Sequence, residues 1–291
     1  MKKILLTNSK VVATINHTGA ELSSFLLDKK EYIWQANPAV WNRHAPVLFP
    51  TVGRLKEDTY FVNGKPFHLT QHGFARDSEF KLVSQNESSV TLELESNEQT
   101  LKVYPFDFKL SISYTLIEST LEVKYQIENP SQENLLFSIG GHPAFNCPLD
   151  PMKEAFEDYE INFHENSSEK EIYLLDGLFL SQSKGKISCP NGKLNLSYDL
   201  FKNDAIIIDS EMPFKVSVIS KKSNAGFSME YGDFRWLGIW TKQAGAGFLC
   251  LEPWNGIADT TDHDQDFEKK LGINTLPPGE KYEAKYIMEF Y

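Results

Sequence analysis

Residues 110–127 read L-S-I-S-Y-T-L-I-E-S-T-L-E-V-K-Y-Q-I. Apolar side chains fall at every second position on both sides of Glu118-Ser119-Thr120, with polar residues between them. That is the period of a β-strand with one buried face, because successive side chains on a strand point to opposite sides. Two such runs joined by a short polar turn predict a hairpin. Val90, Leu92 and Leu94 repeat the period upstream, so three strands in succession predict an antiparallel meander. Asn86-Glu87-Ser88-Ser89 and Tyr104-Pro105-Phe106-Asp107 supply its other turns.

The same signal spreads in both directions. Residues 3–34 alternate short apolar runs with Asn-Ser-Lys, Thr-Gly-Ala and Asp-Lys-Lys breaks, which predicts hairpins near a sheet edge. The runs at 67–69 and 80–83 flank residues 71–77, which are therefore expected to form a loop. Residues 151–159 have the pattern of a short helix with little apolar content. Further strands are expected over 172–180, 186–189, 205–208, 216–219, 227–231, 236–241, 248–251 and 285–290. No long helical periodicity competes, and no linker or repeat divides the chain. The expectation is one all-β domain over residues 1–291, a large antiparallel β-sandwich.

The composition narrows the function. A chain of 291 residues with 41% hydrophobic and 24% charged residues is expected to be soluble and to bury a core unaided. A net charge of -11 argues against nucleic-acid and anionic-membrane partners. Cys147, Cys189 and Cys250 are odd in number and scattered, as in a reducing compartment without a disulfide framework. The three-residue apolar run Ile4-Leu5-Leu6 is too short for a signal peptide, and no transmembrane-length apolar run occurs. A cytoplasmic location is expected.

Four clusters carry candidate chemistry. Residues 138–146, S-I-G-G-H-P-A-F-N, interrupt a strand pattern with two glycines and fix the chain just after His142 with Pro143. This either poises an imidazole at a strand end or makes a hydrogen-bonded turn histidine. Residues 249–259, L-C-L-E-P-W-N-G-I-A-D, place Glu252 at the end of an apolar strand and pin it with Pro253. Glu252 reads as a held carboxylate or as a loop anchor, and Trp254 offers a flat platform for a sugar ring. Residues 46–55, P-V-L-F-P-T-V-G-R-L, deliver Arg54. Residues 71–76, Q-H-G-F-A-R, set His72 beside a glycine and end on Arg76. Taken separately, His72 and Arg54 read equally as loop residues in local polar contacts.

Other chemistries lack their spacing. No H-E-x-x-H or paired-cysteine pattern supports zinc, so no metal is expected. Asp262-His263-Asp264-Gln265-Asp266 starts like a calcium loop but has Phe267 where the turn glycine belongs and Ile273 where the closing glutamate belongs. No phosphate-cradling glycine loop and no G-x-S-x-G elbow is present. No cofactor is expected.

Together V-G-R at Val52–Arg54, H-G-F-A-R at His72–Arg76, G-G-H-P-A-F-N at Gly140–Asn146 and L-E-P-W-N-G at Leu251–Gly256 resemble the aldose 1-epimerase (galactose mutarotase) superfamily. The resemblance is greatest to its LacX-type and hexose-6-phosphate epimerase branch. It covers nearly the whole chain and implies a β-sandwich of the galactose mutarotase type with a sugar-binding cleft on one sheet. By motif match, His142 is the implied general acid and Glu252 the implied general base, with Arg54 and His72 as ligands to sugar hydroxyls. Asp204, in N-D-A-I-I-I-D, is the nearest equivalent of a sugar-binding aspartate. Trp254 and Arg76 complete the implied substrate contacts.

Such a pair opens a hemiacetal without metal or redox cofactor: the base takes the C1 hydroxyl proton while the acid protonates the ring oxygen. It requires an ionised Glu252 and a protonated His142, each charge stabilising the other against desolvation. Pro143-Ala144 replaces the bulkier aromatic stretch of the galactose mutarotases, which bears on sugar specificity. Arg43, Arg54 and Arg76 cluster as in a phosphate pocket, or else Arg43 and Arg76 pair with Asp77. The expected substrate is a hexose or hexose phosphate. A non-catalytic sugar-binding protein on the same scaffold would need Trp254 and Arg54 but not both His142 and Glu252. A glycoside hydrolase would need a second carboxylate beside Glu252.

Overall fold

The 110–127 hairpin anchors the largest sheet in the computed structural model, which describes residues 2–210 and 215–291. Strand Lys109–Ile117 pairs antiparallel with Thr120–Glu128, setting Leu110 opposite Ile127, Ile112 opposite Tyr125 and Tyr114 opposite Val123. These six side chains are buried and their neighbours half exposed. Ser89–Glu95 completes the meander. Lys281–Phe290 pairs along the other edge of the hairpin, within a nine-stranded sheet.

A second sheet of eight strands runs in the order Phe179–Ser188, Glu169–Asp176, Ile206–Asp209, Trp236–Trp240, Phe248–Asn255, Ile139–Gly141 and Val47–Leu48. Ala144–Asn146 also pairs with Phe248–Asn255. Alternation along these strands decides what each face does. Leu237, Ile239, Leu249, Leu251, Ile139 and Phe145 join one core with Ile112, Tyr114, Val123 and Tyr125 of the nine-stranded sheet. Burying each such side chain contributes roughly 1.5–3 kcal/mol. The alternate residues, Trp236, Trp254, Ala144, Phe248 and Cys250, belong to separate clusters on the opposite face. The outer face of the eight-stranded sheet is thus free to carry a site while its inner face is held by the core.

The N-terminal hairpins form a four-stranded sheet of their own, Lys3–Thr7, Val11–Asn16, Leu22–Leu27 and Lys30–Glu31. Three sequence expectations need correction. The run at 172–180 is not one strand: it folds back at Gly177, whose φ of 62° suits a residue without a Cβ. Residues 151–159 form no α-helix, only a 3-10 turn at Phe156–Asp158 before strand Tyr159–Asn162 begins. Glu252 does not close its strand, which continues through Pro253 and Trp254 to Asn255. It survives the proline because Trp236–Trp240 supports it on one side, with Gly238 opposite Glu252 and Leu237 opposite Pro253. Among the described residues no helix is long and apolar enough to cross a membrane.

Candidate active site

Across its other edge, strand Phe248–Asn255 faces the 138–146 stretch. Ala144 lies opposite Cys250 and Gly140 opposite Trp254. The same register sets His142 opposite Glu252. Between those pairs the ladder keeps one bond, from the Leu251 N–H to the Pro143 carbonyl at 3.3 Å. Pro143 and Pro253 each lack an N–H to add. Side chains directly opposite on antiparallel strands share a face, and here they touch: His142 Nε2 lies 3.1 Å from Glu252 Oε2. Both are buried, Glu252 at 2% exposure and His142 at 8%.

The pair forms part of the floor of a cavity of about 250 Å³. Its walls come from Trp41, Gly53, Gln71, His72, Arg76, Asp204, Trp240 and Trp254, with Leu175 and Leu178 at one side. Trp254 lies against two glycines. A Cβ on Gly238 would meet the Trp254 ring at 2.6 Å, and one on Gly140 would meet it at 2.7 Å. Those close approaches let the indole lie flat along the sheet. Trp41 stacks on the His142 ring at 4.9 Å between centroids, and Trp240 meets it edge-on at 5.7 Å. His142 is therefore clamped by aromatic faces as well as by its strand.

His72 sits on the loop over the pair, 5.7 Å from the His142 ring centroid. Its Nδ1 accepts the Gly53 N–H at 3.1 Å, which makes Nε2 the protonated nitrogen of the neutral ring. Burial drives the His72 pKa well below the usual imidazole range, and electrostatic interaction with His142, Arg76 and Arg43 adds to the effect. His72 and Asp204 have φ values of 69° and 75°. Left-handed backbone at non-glycine residues costs of order 1–3 kcal/mol and gathers at functional sites. Asp204 lines the cavity. Its carboxyl is raised by burial, opposed by the Ala205 backbone N–H and the Trp240 indole.

The wall beside Gly53 is braced from behind. Gly53 packs so closely on Ala258 that a Cβ would fall 2.6 Å from it. The next residue, Asp259, is buried and accepts the Lys56 N–H at 2.8 Å and the Lys270 ammonium at 2.9 Å. Lys270 is wholly buried and also donates to the Ile257 carbonyl. Burial lowers its pKa, and Asp259 opposes that.

The model of the family described as aldose 1-epimerase matches residues 2–289. The chain belongs to the aldose 1-epimerase family. It is 33% identical over 292 residues to the chromosomal LacX protein of Lactococcus lactis subsp. lactis, covering 97% of each chain. A galactose mutarotase related enzyme from Lactobacillus acidophilus superposes with a TM-score of 0.96 at 37% identity, over 100% of this chain and 97% of that one. A galactose mutarotase-like protein from Lactobacillus casei gives 0.92 at 30% identity, over the full length of both. The epimerase fold and the LacX-type branch implied by the sequence motifs are therefore those of this chain.

Of the site residues inferred from those epimerase motifs, His142, Glu252, His72, Trp254, Arg76 and Asp204 line the one cavity. Arg54 does not. Its guanidinium makes a two-point pair with Asp58, Nε at 3.0 Å and a terminal nitrogen at 2.9 Å. What faces the cavity there is its neighbour Gly53. Arg76 is the arginine at the cavity: it donates to the Gln71 carbonyl at 2.6 Å and stands 3.7 Å from Asp77. Arg43 pairs with Asp77 at 3.0 and 3.3 Å. Both arginines thus reach the acidic neighbour, and only Arg76 also reaches the cavity. Trp41, Gln71 and Trp240 were not found from the sequence. Trp41 stands ahead of the P-V-L-F-P run and Trp240 ends a strand, and neither position carries a local signal for a ligand site.

Burial acts on the pair in the direction opposite to the sequence expectation. Burial raises Glu252 well above the usual carboxylate range, with the Asp204 charge adding to it. Burial also lowers His142 to about 3, with Arg76 and Arg43 contributing in the same direction. Desolvation therefore works against charge on both partners, opposing the ionised pair that the sequence reading requires.

Proposed function

We propose that this chain is an aldose 1-epimerase that interconverts the α and β anomers of a hexose or hexose phosphate by general acid–base ring opening. The observation that carries the reading is the 3.1 Å contact between His142 Nε2 and Glu252 Oε2 beside a closed-backed cavity. The C1 hydroxyl and the ring oxygen are bonded to the same carbon, so an acid and a base acting on them must lie close together. A protein that only held the sugar would not need that contact.

The pair carries no net charge whether the proton sits on Glu252 or on His142. Moving it to His142 creates the carboxylate and imidazolium without drawing a proton from solvent. Glu252 then takes the C1 hydroxyl proton as His142 protonates the ring oxygen, and the C1–O5 bond breaks to leave an open-chain aldehyde. Rotation about C1–C2 presents the other carbonyl face. The ring hydroxyl adds back, returning its proton to His142, while Glu252 protonates the new C1 oxygen. The Trp254 face supports the ring, and His72 Nε2–H, Asp204 and Arg76 bind its polar substituents.

The test is anomer-resolved NMR exchange, or polarimetry, on freshly dissolved glucose, galactose and their 6-phosphates. Wild type is expected to accelerate the approach to anomeric equilibrium for at least one of them. His142→Asn and Glu252→Gln are each expected to lower the rate by roughly 10²–10⁴-fold with unchanged circular dichroism. Folded variants that exchange at the wild-type rate would overturn the assignment.

A further inference from the structure

We propose that the His142–Glu252 pair at the cavity and the buried Cys250 next to it also form a three-ligand site for a thiophilic divalent cation such as Zn²⁺, built from His142 Nε2, the Cys250 sulfur and a Glu252 carboxylate oxygen. The ligand atoms of these three residues lie within 4.8 Å of one another, and all three residues are buried. The sheet explains the grouping. Cys250 and Glu252 are two residues apart on one strand and share its outer face, while His142 and Ala144 stand opposite them on the next.

The donor set fits zinc. Imidazole, thiolate and carboxylate are its usual protein ligands, with bonds of about 2.0–2.3 Å. Tetrahedral geometry then sets a nitrogen–oxygen edge of about 3.3 Å and an edge to sulfur of about 3.6 Å. The 3.1 Å contact already matches the first. With the ligand atoms within 4.8 Å of one another, the second needs the thiol to approach by at most about 1.2 Å. A fourth ligand, water or a substrate group, would come from the cavity that His142 and Glu252 line, as in sites that keep one position open. A thiolate favours zinc over magnesium or calcium.

Charge permits the site. Bound as thiolate and carboxylate, Cys250 and Glu252 supply two negative charges that a divalent cation balances, so no net charge is stranded among these buried side chains. The bound ion occupies the lone pairs that the epimerase reading assigns to proton transfer. On that reading it is an inhibitor, although binding itself does not depend on it. The local spacing C-x-E resembles no zinc motif because the histidine comes from a different strand.

The metal-free protein is titrated with Co²⁺ and then competed with Zn²⁺. Wild type is expected to bind one Co²⁺ per chain with a near-ultraviolet sulfur-to-cobalt charge-transfer band that Zn²⁺ abolishes. Cys250→Ala, and Cys250→Ser which keeps the side-chain size, are expected to lose the band and bind Zn²⁺ at least ~10-fold more weakly. A wild type without the band, or Zn²⁺ affinity in both variants within about twofold of wild type, overturns the site. In the exchange assay Zn²⁺ is expected to arrest wild type reversibly with chelator, while Cys250→Ala keeps its rate at the same Zn²⁺ concentration. If no metal-free sample exchanges anomers, the epimerase reading fails, and the cobalt titration still decides the metal site.

Discussion

His142 and Glu252, 110 residues apart in the chain, touch at 3.1 Å, Glu252 within strand Phe248–Asn255 and His142 between the two short strands, Ile139–Gly141 and Ala144–Asn146, that pair with it. Their meeting follows from the register of Ala144 on Cys250 and Gly140 on Trp254, not from any flexible loop. Two groups held this way act as one unit. The His142→Asn/Glu252→Gln double variant is therefore expected to exchange anomers about as slowly as the worse single variant. Multiplied single losses are the signature of independent roles. Rates for all four proteins by NMR exchange decide between the two outcomes.

Gly238→Ala tests the shelf under Trp254. The added methyl would lie 2.6 Å from the indole, and overpacking of this kind costs typically about 1–3 kcal/mol. The ring has to lift from the sheet, so the variant is expected to lose that much stability in urea denaturation and to weaken sugar binding as well. A wild-type denaturation midpoint would show that the ring yields freely.

Arg54 and Arg76 separate in function as they do in space. Arg54→Ala removes a surface pair with Asp58 and is expected to leave kcat/KM within about twofold, as for most exposed substitutions. Arg76→Ala empties part of the cavity wall and frees the Gln71 carbonyl. It is expected to lower kcat/KM at least ~10-fold, a loss of the size of one charge-assisted hydrogen bond. Equal effects of the two substitutions would contradict the placement.

Stability should fall with acid through His72. Its folded-state pKa lies well below 6.5 because the ring is buried and accepts the Gly53 N–H. Below pH 6.5 the unfolded chain takes up a proton that the folded ring refuses. Stability is therefore present above that pH and is lost on going down, by at most about 1.4 kcal/mol per pH unit for this group. Asparagine tolerates the left-handed backbone there, so His72→Asn is expected to flatten the slope of unfolding free energy between pH 6.5 and 5. Parallel slopes in the two proteins would remove His72 as the cause.

Lys270→Met leaves Asp259 buried without its cation, which costs about 3–5 kcal/mol where one partner of a buried pair is removed. The double variant with Asp259→Asn removes the stranded charge as well and is expected to recover part of the loss. Thermal midpoints of the two variants check this, and a double variant no more stable than the single would show that packing, not charge, dominates.

Strand period made the meander and most of the second sheet legible, because alternation at Ile112, Tyr114, Val123 and Tyr125 is a local property. Boundaries were less so. Gly177 turns a run that alternates well enough to pass for one strand, and Pro253 falsely marked an end at Glu252, since a neighbouring strand can carry a chain past a missing N–H. The motifs brought six of the seven inferred site residues to one cavity. Arg54 lies outside it because its guanidinium pairs with Asp58 four residues on, a contact the motif does not encode. Trp41 and Trp240 went unseen because stacking on His142 depends on contacts between strands and a distant loop. The direction in which burial shifts the pair is hidden for the same reason, since how deeply a pair is buried cannot be read from its neighbours in sequence.

The proton-handling pair is built into the sheet, whereas Gln71, His72, Arg76 and Asp204 hang from loops or strand ends around it. Chemistry and recognition can therefore drift apart under selection. The rim can be rewritten for another sugar, or for a charged one, while the spacing that moves hydrogen stays fixed by the backbone lattice beneath it.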